Sequence, residues 1–243
     1  MNKLGVYQES CARRGRSALA WRHEVGFDNL PPPHLRLPET RLSVKTETRF
    51  DCSGDIVDQR HWVMGPSHTP AFFVPLPGTR YEGRFILPEE AMAVLGIRPD
   101  EITDKRVPLS ELKPGLTGED FRLRLPGDET TYAARLIRAS RGRAPLEKVA
   151  DRVGITLRHL RRLMKERTGL SPKALARRLQ VQAAIERADQ SAYPDWADIA
   201  LATGFSDQAH LIRSMRSIAG DTPARLHAVR QRQSVLFNRD AVT

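Results

Sequence analysis

One sequence pattern occurs twice in the C-terminal half of this 243-residue chain, and it decides the fold. The first copy reads GITLRHLRRLMKERTGLSP from Gly154 to Pro172, and the second reads GFSDQAHLIRSMRSIAGDTP from Gly204 to Pro223. The opening glycines are 50 residues apart, whereas the leucine, arginine, methionine, glycine and proline that follow are 51 apart. Because two copies are too few for a solenoid, we predict a duplicated supersecondary unit. The one extra residue is expected in the first turn of the second helix of the second copy.

Each copy carries the signals of two helices separated by a short turn. Thr156 and Ser206 are predicted N-caps directly after the turn glycines, and Pro145 is predicted at the first position of a helix. Gly169 and Gly220 are expected in the left-handed conformation that ends a helix. From residue 131 onward the chain is predicted to be all helical, with helices at about 131–140, 145–153, 157–168, 172–188, 196–203, 207–218 and 223–231.

A helix, a short turn and a second helix form a helix-turn-helix unit, whose second helix enters the major groove of DNA. That helix needs an apolar stripe toward its own core and polar or basic side chains on the opposite face. The inward stripe is predicted from Ile155, Leu160, Leu163 and Met164 in the first copy and from Leu211, Ser214, Met215 and Ile218 in the second. The outward positions are Arg158, His159, Arg161, Arg162 and Lys165, followed by Asp207, Gln208, His210, Arg213 and Arg216.

The charge distribution favours the same function. The chain has a net charge of +10, but residues 131–233 hold 20 Lys and Arg against 9 Asp and Glu, a net of +11. The rest of the chain holds 19 and 20, a net of −1, so a polyanion partner is expected for the repeat-containing half alone. The predicted helix 172–188 would be about 25 Å long, which suits two recognition helices placed about one DNA turn, roughly 34 Å, apart.

The N-terminal half predicts a small α+β domain. Residues 42–50 alternate strictly between apolar and polar positions, and further strands are expected at 56–63, 70–74 and 80–86, followed by a helix over 88–95. The segment 1–34 is poorly defined, with a short helix at 17–21 as one interpretation. The predicted organisation is therefore a regulatory or effector domain at 35–112, a turn-rich linker at 113–130 and a DNA-binding domain at 131–233.

The repeat resembles the DNA-binding domain of AraC/XylS-type transcription regulators. The resemblance rests on LEKVADRVGITLRHLRRLMKERTGLSP at 146–172 and on DIALATGFSDQAHLIRSMRSIAGDTP at 198–223. It implies two helix-turn-helix units joined by a linker helix, with base contacts from the second helix of each unit. Carried over by position, those contacts come from Arg158, Arg161 and Arg162, then from Gln208, Ala209, His210 and Arg213. The family often has Phe at Met164, Leu211 and Met215, which are core exchanges of similar volume.

The N-terminal half resembles, more weakly, the small β-rich regulatory domains attached to some of these regulators. The supporting segments are RFDCSG at 49–54, GPSHTP at 65–70 and YEGRFILPEEAMAVLGI at 81–97. A regulator of this kind implies double-stranded DNA, RNA polymerase, a small-molecule effector at the N-terminal domain and a second copy of the chain as partners. It is expected to act in the cytoplasm, without a membrane segment.

Two other functions stay open at this stage. A nucleoid or architectural protein would bend DNA without recognising its sequence, and a catalytic N-terminal domain would make the chain an enzyme. Neither enzymatic activity nor a cofactor is predicted, because Cys11 and Cys52 supply no activated thiol beside a histidine. A metal site is not predicted either, since His61, His68, Asp55, Asp58 and Cys52 lack the spacing of metal ligands.

Overall fold

The chain divides into two compact units, the first comprising Met1–Pro126 and Arg167–Gly169 and the second comprising Gly127–Glu166 and Leu170–Thr243. The computed structural model describes residues 7–11, 19–27, 34–36, 40–67, 70–112 and 127–238. Residues 113–126 of the predicted linker, together with His68, lie outside this described part. The predicted fold class, a β-rich N-terminal domain followed by an all-α domain, is confirmed.

The first unit is built on antiparallel strands. Its strands are β1 (Tyr7–Cys11), β2 (Leu19–Val25), β3 (His34–Arg36), β4 (Leu42–Phe50), β5 (Ile56–Met64), β6 (Ala71–Phe73), β7 (Thr79–Ile86) and β8 (Arg106–Pro108). Six of them form one sheet in the order β1-β2-β7-β4-β5-β8, and β3 pairs with β6 separately. Two short helices accompany the sheet, α1 (Ala91–Leu95) and α2 (Leu109–Leu112).

Strand β4 is central in this sheet and shows the predicted alternation only in part, because Thr46 is half-buried like its neighbours Lys45 and Glu47. Leu42, Val44 and Thr48 are buried as expected, but Ser43 on the predicted polar face is also fully buried. Ser43 is small and lies between Met64 of β5 and Phe85 of β7, so its larger cross-strand neighbours cover it. The core of the unit lies where α1 and α2 meet the sheet, and it contains Leu42, Val44, Val63, Ile86, Ala91, Leu95, Ile102 and Leu109.

The described residues of the N-terminal segment 1–34 are more regular than the sequence predicted. Its residues supply β1 and β2, and the interpretation of 17–21 as a short helix is wrong, because residues 19–21 begin a strand. Strand β2 pairs with β7 over six residues, from Ala20 opposite Arg84 to Val25 opposite Thr79. Pairing with a distant strand therefore overrides the local helical preference of this short segment.

The second unit consists of seven helices among its described residues. They are α3 (Glu129–Ala139), α4 (Leu146–Val153), α5 (Leu157–Thr168), α6 (Pro172–Ala188), α7 (Trp196–Ala202), α8 (Gln208–Ala219) and α9 (Pro223–Asn238). Helix α3 begins inside the predicted linker, because the side chain of Asp128 caps it by accepting from the backbone N–H of Thr131. Pro145 precedes the first residue of α4 instead of occupying it, and α9 continues beyond the predicted end at 231.

Helix α6 takes part in two packed groups and joins them. Its N-terminal half contributes Leu175 and Ala176 to a core with α3, α4 and α5, which also contains Ala133, Ala134, Ile137, Val149, Ala150, Leu160, Met164 and Leu170. Helix α6 also contacts α7, α8 and α9, where Ile199, Phe205, Leu211, Met215 and Leu226 are buried. The position of each recognition helix is therefore set by packing around one shared helix. No helix in the described ranges is long and apolar enough to cross a membrane.

Candidate nucleic-acid interface

The two turns of the repeat are closed by the same backbone hydrogen bonds. The N–H of Ile155 donates to the carbonyl of Ala150 at 3.1 Å, and the N–H of Phe205 donates to that of Ala200 at 2.9 Å. Gly154 and Gly204 have φ of +79° and +90°, the left-handed conformation that this helix ending requires. The sequence repeat at an offset of 50 is therefore a repeat of backbone geometry.

The N-caps show where the extra residue of the second copy lies. Thr156 Oγ1 accepts from the backbone N–H of His159 at 3.2 Å, and Asp207 Oδ1 accepts from that of His210 at 2.7 Å. The cap of α8 is therefore Asp207, and the prediction of Ser206 is wrong. Ser and Asp are comparable caps by type, and the hydrogen bond to His210 decides between them. The extra residue is Ser206, which lies in the turn before the helix rather than in its first turn.

Helix α5 has the two faces that the sequence predicts. Leu160 and Met164 are fully buried and Leu163 is nearly so, whereas Ile155 in the preceding turn is half-buried. The five predicted DNA-contacting side chains of this helix are all exposed: Arg158, His159, Arg161, Arg162 and Lys165. The first copy therefore presents a basic surface, which suits the negatively charged DNA backbone and guanine bases.

Helix α8 has the same arrangement with a different chemistry. Leu211, Ser214 and Met215 face the core, and Ile218 is half-buried. Its predicted contact residues lie on the opposite side: Gln208, Ala209, Arg213 and Arg216 are exposed, and His210 is half-buried. Arginine, glutamine and an alanine methyl match different base edges, so the second surface is the more varied one.

His210 is held by a short network at the start of α8. The Ser206 hydroxyl donates to Asp207 Oδ2 at 2.9 Å and lies 3.1 Å from Nδ1 of His210. A hydroxyl has one hydrogen, so Nδ1 of His210 must donate to Ser206, which leaves Nε2 of the neutral ring as an acceptor. Partial burial and the nearby cation Arg177 lower the pKa of His210, which favours this neutral form. The backbone N–H of His210 and the Ser206 hydroxyl also lower the pKa of Asp207.

Two residues near α8 were not predicted as part of the interface. The guanidinium of Arg177, on α6, lies over the ring of Phe205 at 5.2 Å from its centroid. Phe205 also meets the His210 ring edge-to-face at 5.4 Å between centroids. The spacing of Lys173 and Arg177, one helical turn apart, is the sequence signal that could have indicated a basic stripe on α6.

The residues weighed as metal ligands have other arrangements. His61 Nδ1 lies 3.0 Å from the hydroxyl of Thr46, on the neighbouring strand. Cys52 is exposed in the turn between β4 and β5. Within the described ranges, no three His, Cys, Asp or Glu side chains come together in a way that could hold a metal ion.

Comparison with known proteins places the repeat in a family. A family model described as a helix-turn-helix domain matches residues 149–228. An AraC-type transcriptional regulator from Chromobacterium violaceum is 28% identical over 42% of this chain and 91% of its own, with a TM-score of 0.39. A probable AraC family regulator from Rhodopseudomonas palustris is 27% identical over 42% and 95%, with a TM-score of 0.38. ToxT from Vibrio cholerae is 9% identical over 91% and 98%, with a TM-score of 0.45. No curated protein matches the sequence.

These observations define the class of the protein. Two helix-turn-helix units with matching turns, caps and exposed basic faces constitute a DNA-binding domain. Residues 149–228 are a helix-turn-helix domain of the AraC type, and this part of the chain is a DNA-binding domain.

Proposed function

We propose that the protein is a sequence-specific transcription regulator that places α5 and α8 in two adjacent major-groove segments. The observation that carries this proposal is the repeated geometry: each recognition helix follows the same backbone turn and starts at an equivalent cap. The 17 residues of α6 span about 25 Å, which suits a separation of about one DNA turn. One chain would then contact two groove segments without dimerising.

The contact residues of this proposal divide into two chemical groups. Arg158, Arg161, Arg162 and Lys165 on α5 would contact guanine edges and phosphates, with His159 beside them. Gln208 and Arg213 on α8 would contact adenine and guanine edges, respectively, in the bidentate manner that each side chain allows. Ala209 would meet a thymine methyl group, and Arg216 would contact the backbone.

Selection of binding sites from random duplexes with the purified full chain tests the proposal. We expect an enriched motif with two blocks whose centres are about 10 base pairs apart. Arg162→Ala should relax the preference within one block, with a loss of about 1–3 kcal/mol for the preferred base. Enrichment of no motif, with equal weakening of all duplexes by Arg162→Ala, would instead identify a non-specific architectural protein.

We further propose that the domain at 35–112 is regulatory, connected through the segment 113–130 to the DNA-binding domain at 131–233. Its separate core and the near-neutral charge of the chain outside 131–233 support a role other than DNA contact. It would sense a small-molecule effector or pair two copies of the chain, and so alter how DNA-bound protein engages RNA polymerase. A thermal shift with one metabolite, or a dimer in sedimentation, supports this role. Turnover of a metabolite would show a catalytic domain instead.

A further inference from the structure

Helix α6 carries two cations beside the start of the second recognition helix. Lys173 and Arg177 are one turn apart on α6, and the Arg177 guanidinium lies over Phe205, which immediately precedes the Ser206–Asp207 cap. Both cations act on His210 of α8, whose pKa they lower together with Arg213. Lys173, Arg177 and Arg213 are therefore close enough to His210 to disfavour its protonation, while Asp207 acts in the opposite direction.

The Asp207 carboxylate offsets part of the charge of Arg213, since its hydrogen bonds and then Arg213 lower the pKa of Asp207. Lys173 and Arg177 have no such partner in the described part of the chain. Among the described residues, no carboxylate forms an ion pair with Lys173, Arg177 or Arg213. By contrast, Arg187 on the same helix pairs with Asp198 at 3.4 Å. Arg177 is half-buried, and burial lowers its pKa, so the fold bears the cost of desolvating this guanidinium without a carboxylate in return. An arginine remains protonated despite such a shift, so the site keeps its positive charge.

We propose that Lys173 and Arg177 bind a phosphate of the DNA backbone beside the second recognition helix. The linker helix is then part of the DNA interface as well as a spacer. This inference rests on the proposed entry of α8 into the major groove, but it concerns residues outside both recognition helices. The DNA phosphate would be the anionic partner of the half-buried Arg177 guanidinium, which has no carboxylate partner among the described residues.

A phosphodiester fits this arrangement better than a base edge. The contact with Phe205 restricts the Arg177 side chain, so that less side-chain freedom is given up when its N–H groups meet phosphate oxygens. Lys173 adds a point charge one turn away, which suits a phosphate and gives no base discrimination. The expected contribution is therefore affinity and register on the duplex, equal for all sequences.

The salt dependence of DNA binding tests the clamp formed by Lys173 and Arg177. Arg177→Gln and Lys173→Gln should each make the slope of log K against log salt less negative, on a selected site and on a random duplex alike. The double variant should reduce the magnitude of the slope by about 0.9, because the protein then neutralises one phosphate fewer. Arg187→Gln is the matched control, since it removes one charge from the same helix at a site that is paired with Asp198. Thermal unfolding of each variant verifies that the domain is folded.

The outcomes separate this inference from the proposed function. If the Arg177→Gln and Lys173→Gln variants have a less negative salt slope but no motif is enriched, the phosphate contact is supported and the sequence-specific function is refuted. If a motif is enriched but Arg177→Gln and Arg187→Gln both have the salt slope of the unchanged protein, the phosphate contact is refuted. The proposed function then still stands.

Replacing single DNA phosphates of the selected site by neutral groups identifies the phosphate that Arg177 contacts. Methylphosphonates placed at one phosphate at a time should weaken binding of the unchanged protein, and at one position the loss should be absent in Arg177→Gln. Such coupling identifies the phosphate that Arg177 contacts. Independent losses at every position would overturn the assignment.

Discussion

The guanidinium of Arg162 donates to both carboxylate oxygens of Glu166, at 3.1 and 3.0 Å, one turn further along α5. Its other terminal nitrogen lies 3.4 Å from Nδ1 of His159. Both partners of the ion pair are exposed, so the pair is worth only about 0.2–1 kcal/mol. The pair therefore biases Arg162 toward one orientation and partly neutralises it before DNA arrives.

Glu166→Gln should strengthen binding to non-specific duplex about two- to fivefold, because the carboxylate no longer competes with phosphates for Arg162. The same variant should discriminate less well at the base that Arg162 contacts, since the side chain loses the orientational bias that Glu166 gives it. Fluorescence anisotropy at one salt concentration measures the first effect, and site selection measures the second.

The matched control for this change is Glu186→Gln. Glu186 is on α6 and lies 3.7 Å from Arg141, so its replacement adds the same net charge away from the recognition helix. Equal affinities for the two variants would show that only the general charge matters and that Glu166 does not orient Arg162.

The two recognition helices should differ in what they contribute. Replacing Arg158, Arg161 and Arg162 by Gln should lower affinity, reduce the magnitude of the salt slope by about 0.9 for each phosphate that is no longer neutralised, and change the motif only at the base that Arg162 contacts. Within residues 208–213, replacing the outward Gln208, His210 and Arg213 while buried Leu211 is kept should change the preferred motif, because these three side chains meet base edges. Titrations at several salt concentrations and site selections measure both variants, and equal effects in the two assays would contradict this division.

Most of the DNA-binding domain could be predicted because its signals are local. Ser171 caps α6 by accepting from the N–H of Ala174 at 3.2 Å, and Pro172 follows at the first helical position, as the dipeptide indicates. Gly169 and Gly220 are left-handed, with φ of +72° and +82°. Each of these features is decided by a few neighbouring residues, so a single sequence is sufficient to place it.

The features that sequence reasoning missed depend on contacts between distant segments. Strand β2 exists because it pairs with β7, almost 60 residues later, and no pattern within residues 19–25 specifies that partner. The contact between Arg177 and Phe205 likewise requires α6 and the second turn to meet in space. Ser206 and Asp207 are adjacent residues of similar capping ability, and only the hydrogen bond to His210 separates them.

The preference that His210 confers should depend on pH. In the neutral ring Nε2 is an acceptor, which suits an adenine or cytosine amino group, whereas protonation turns it into a donor. Site selections at pH 7.5 and 5.5 should therefore differ at one base pair. His210→Gln does not titrate and should give the same motif at both pH values. A shift that persists in His210→Gln would assign the pH dependence to another group.

The stability of the domain should also respond to His210. Its pKa in the folded protein lies below the ordinary value of 6.5, so the unfolded chain binds the proton first as the pH falls. This contribution to stability is present above about pH 6.5 and is lost as the pH falls through the lowered pKa. Urea unfolding at pH 7.5 and 5.5 should show a smaller decrease for His210→Gln than for the unchanged protein. A decrease of the same size in both would show that His210 is not responsible.

Gly154 and Gly204 occupy equivalent turns of the two helix-turn-helix units, so their alanine variants show how the surroundings of the two turns differ in their effect on stability. Gly154→Ala should cost about 1–2 kcal/mol from the left-handed backbone alone, because an added Cβ at Gly154 meets no atom within 4 Å. Gly204→Ala bears the same strain, but its Cβ would lie 2.8 Å from the side-chain nitrogen of Gln180. That nitrogen donates to the Gly204 carbonyl at 3.3 Å, so displacing it should cost about 1 kcal/mol more.

Urea unfolding of both alanine variants, alone and with Gln180→Ala, separates the two causes. When Gln180 is truncated, the loss of unfolding free energy caused by Gly204→Ala should approach the loss caused by Gly154→Ala. Backbone strain is then the main cost that remains in both variants. An extra cost that persists would assign it to Arg143, whose Cγ lies 3.0 Å from the same added atom. The second turn would in that case be held chiefly by the segment that precedes α4, and not by the linker helix.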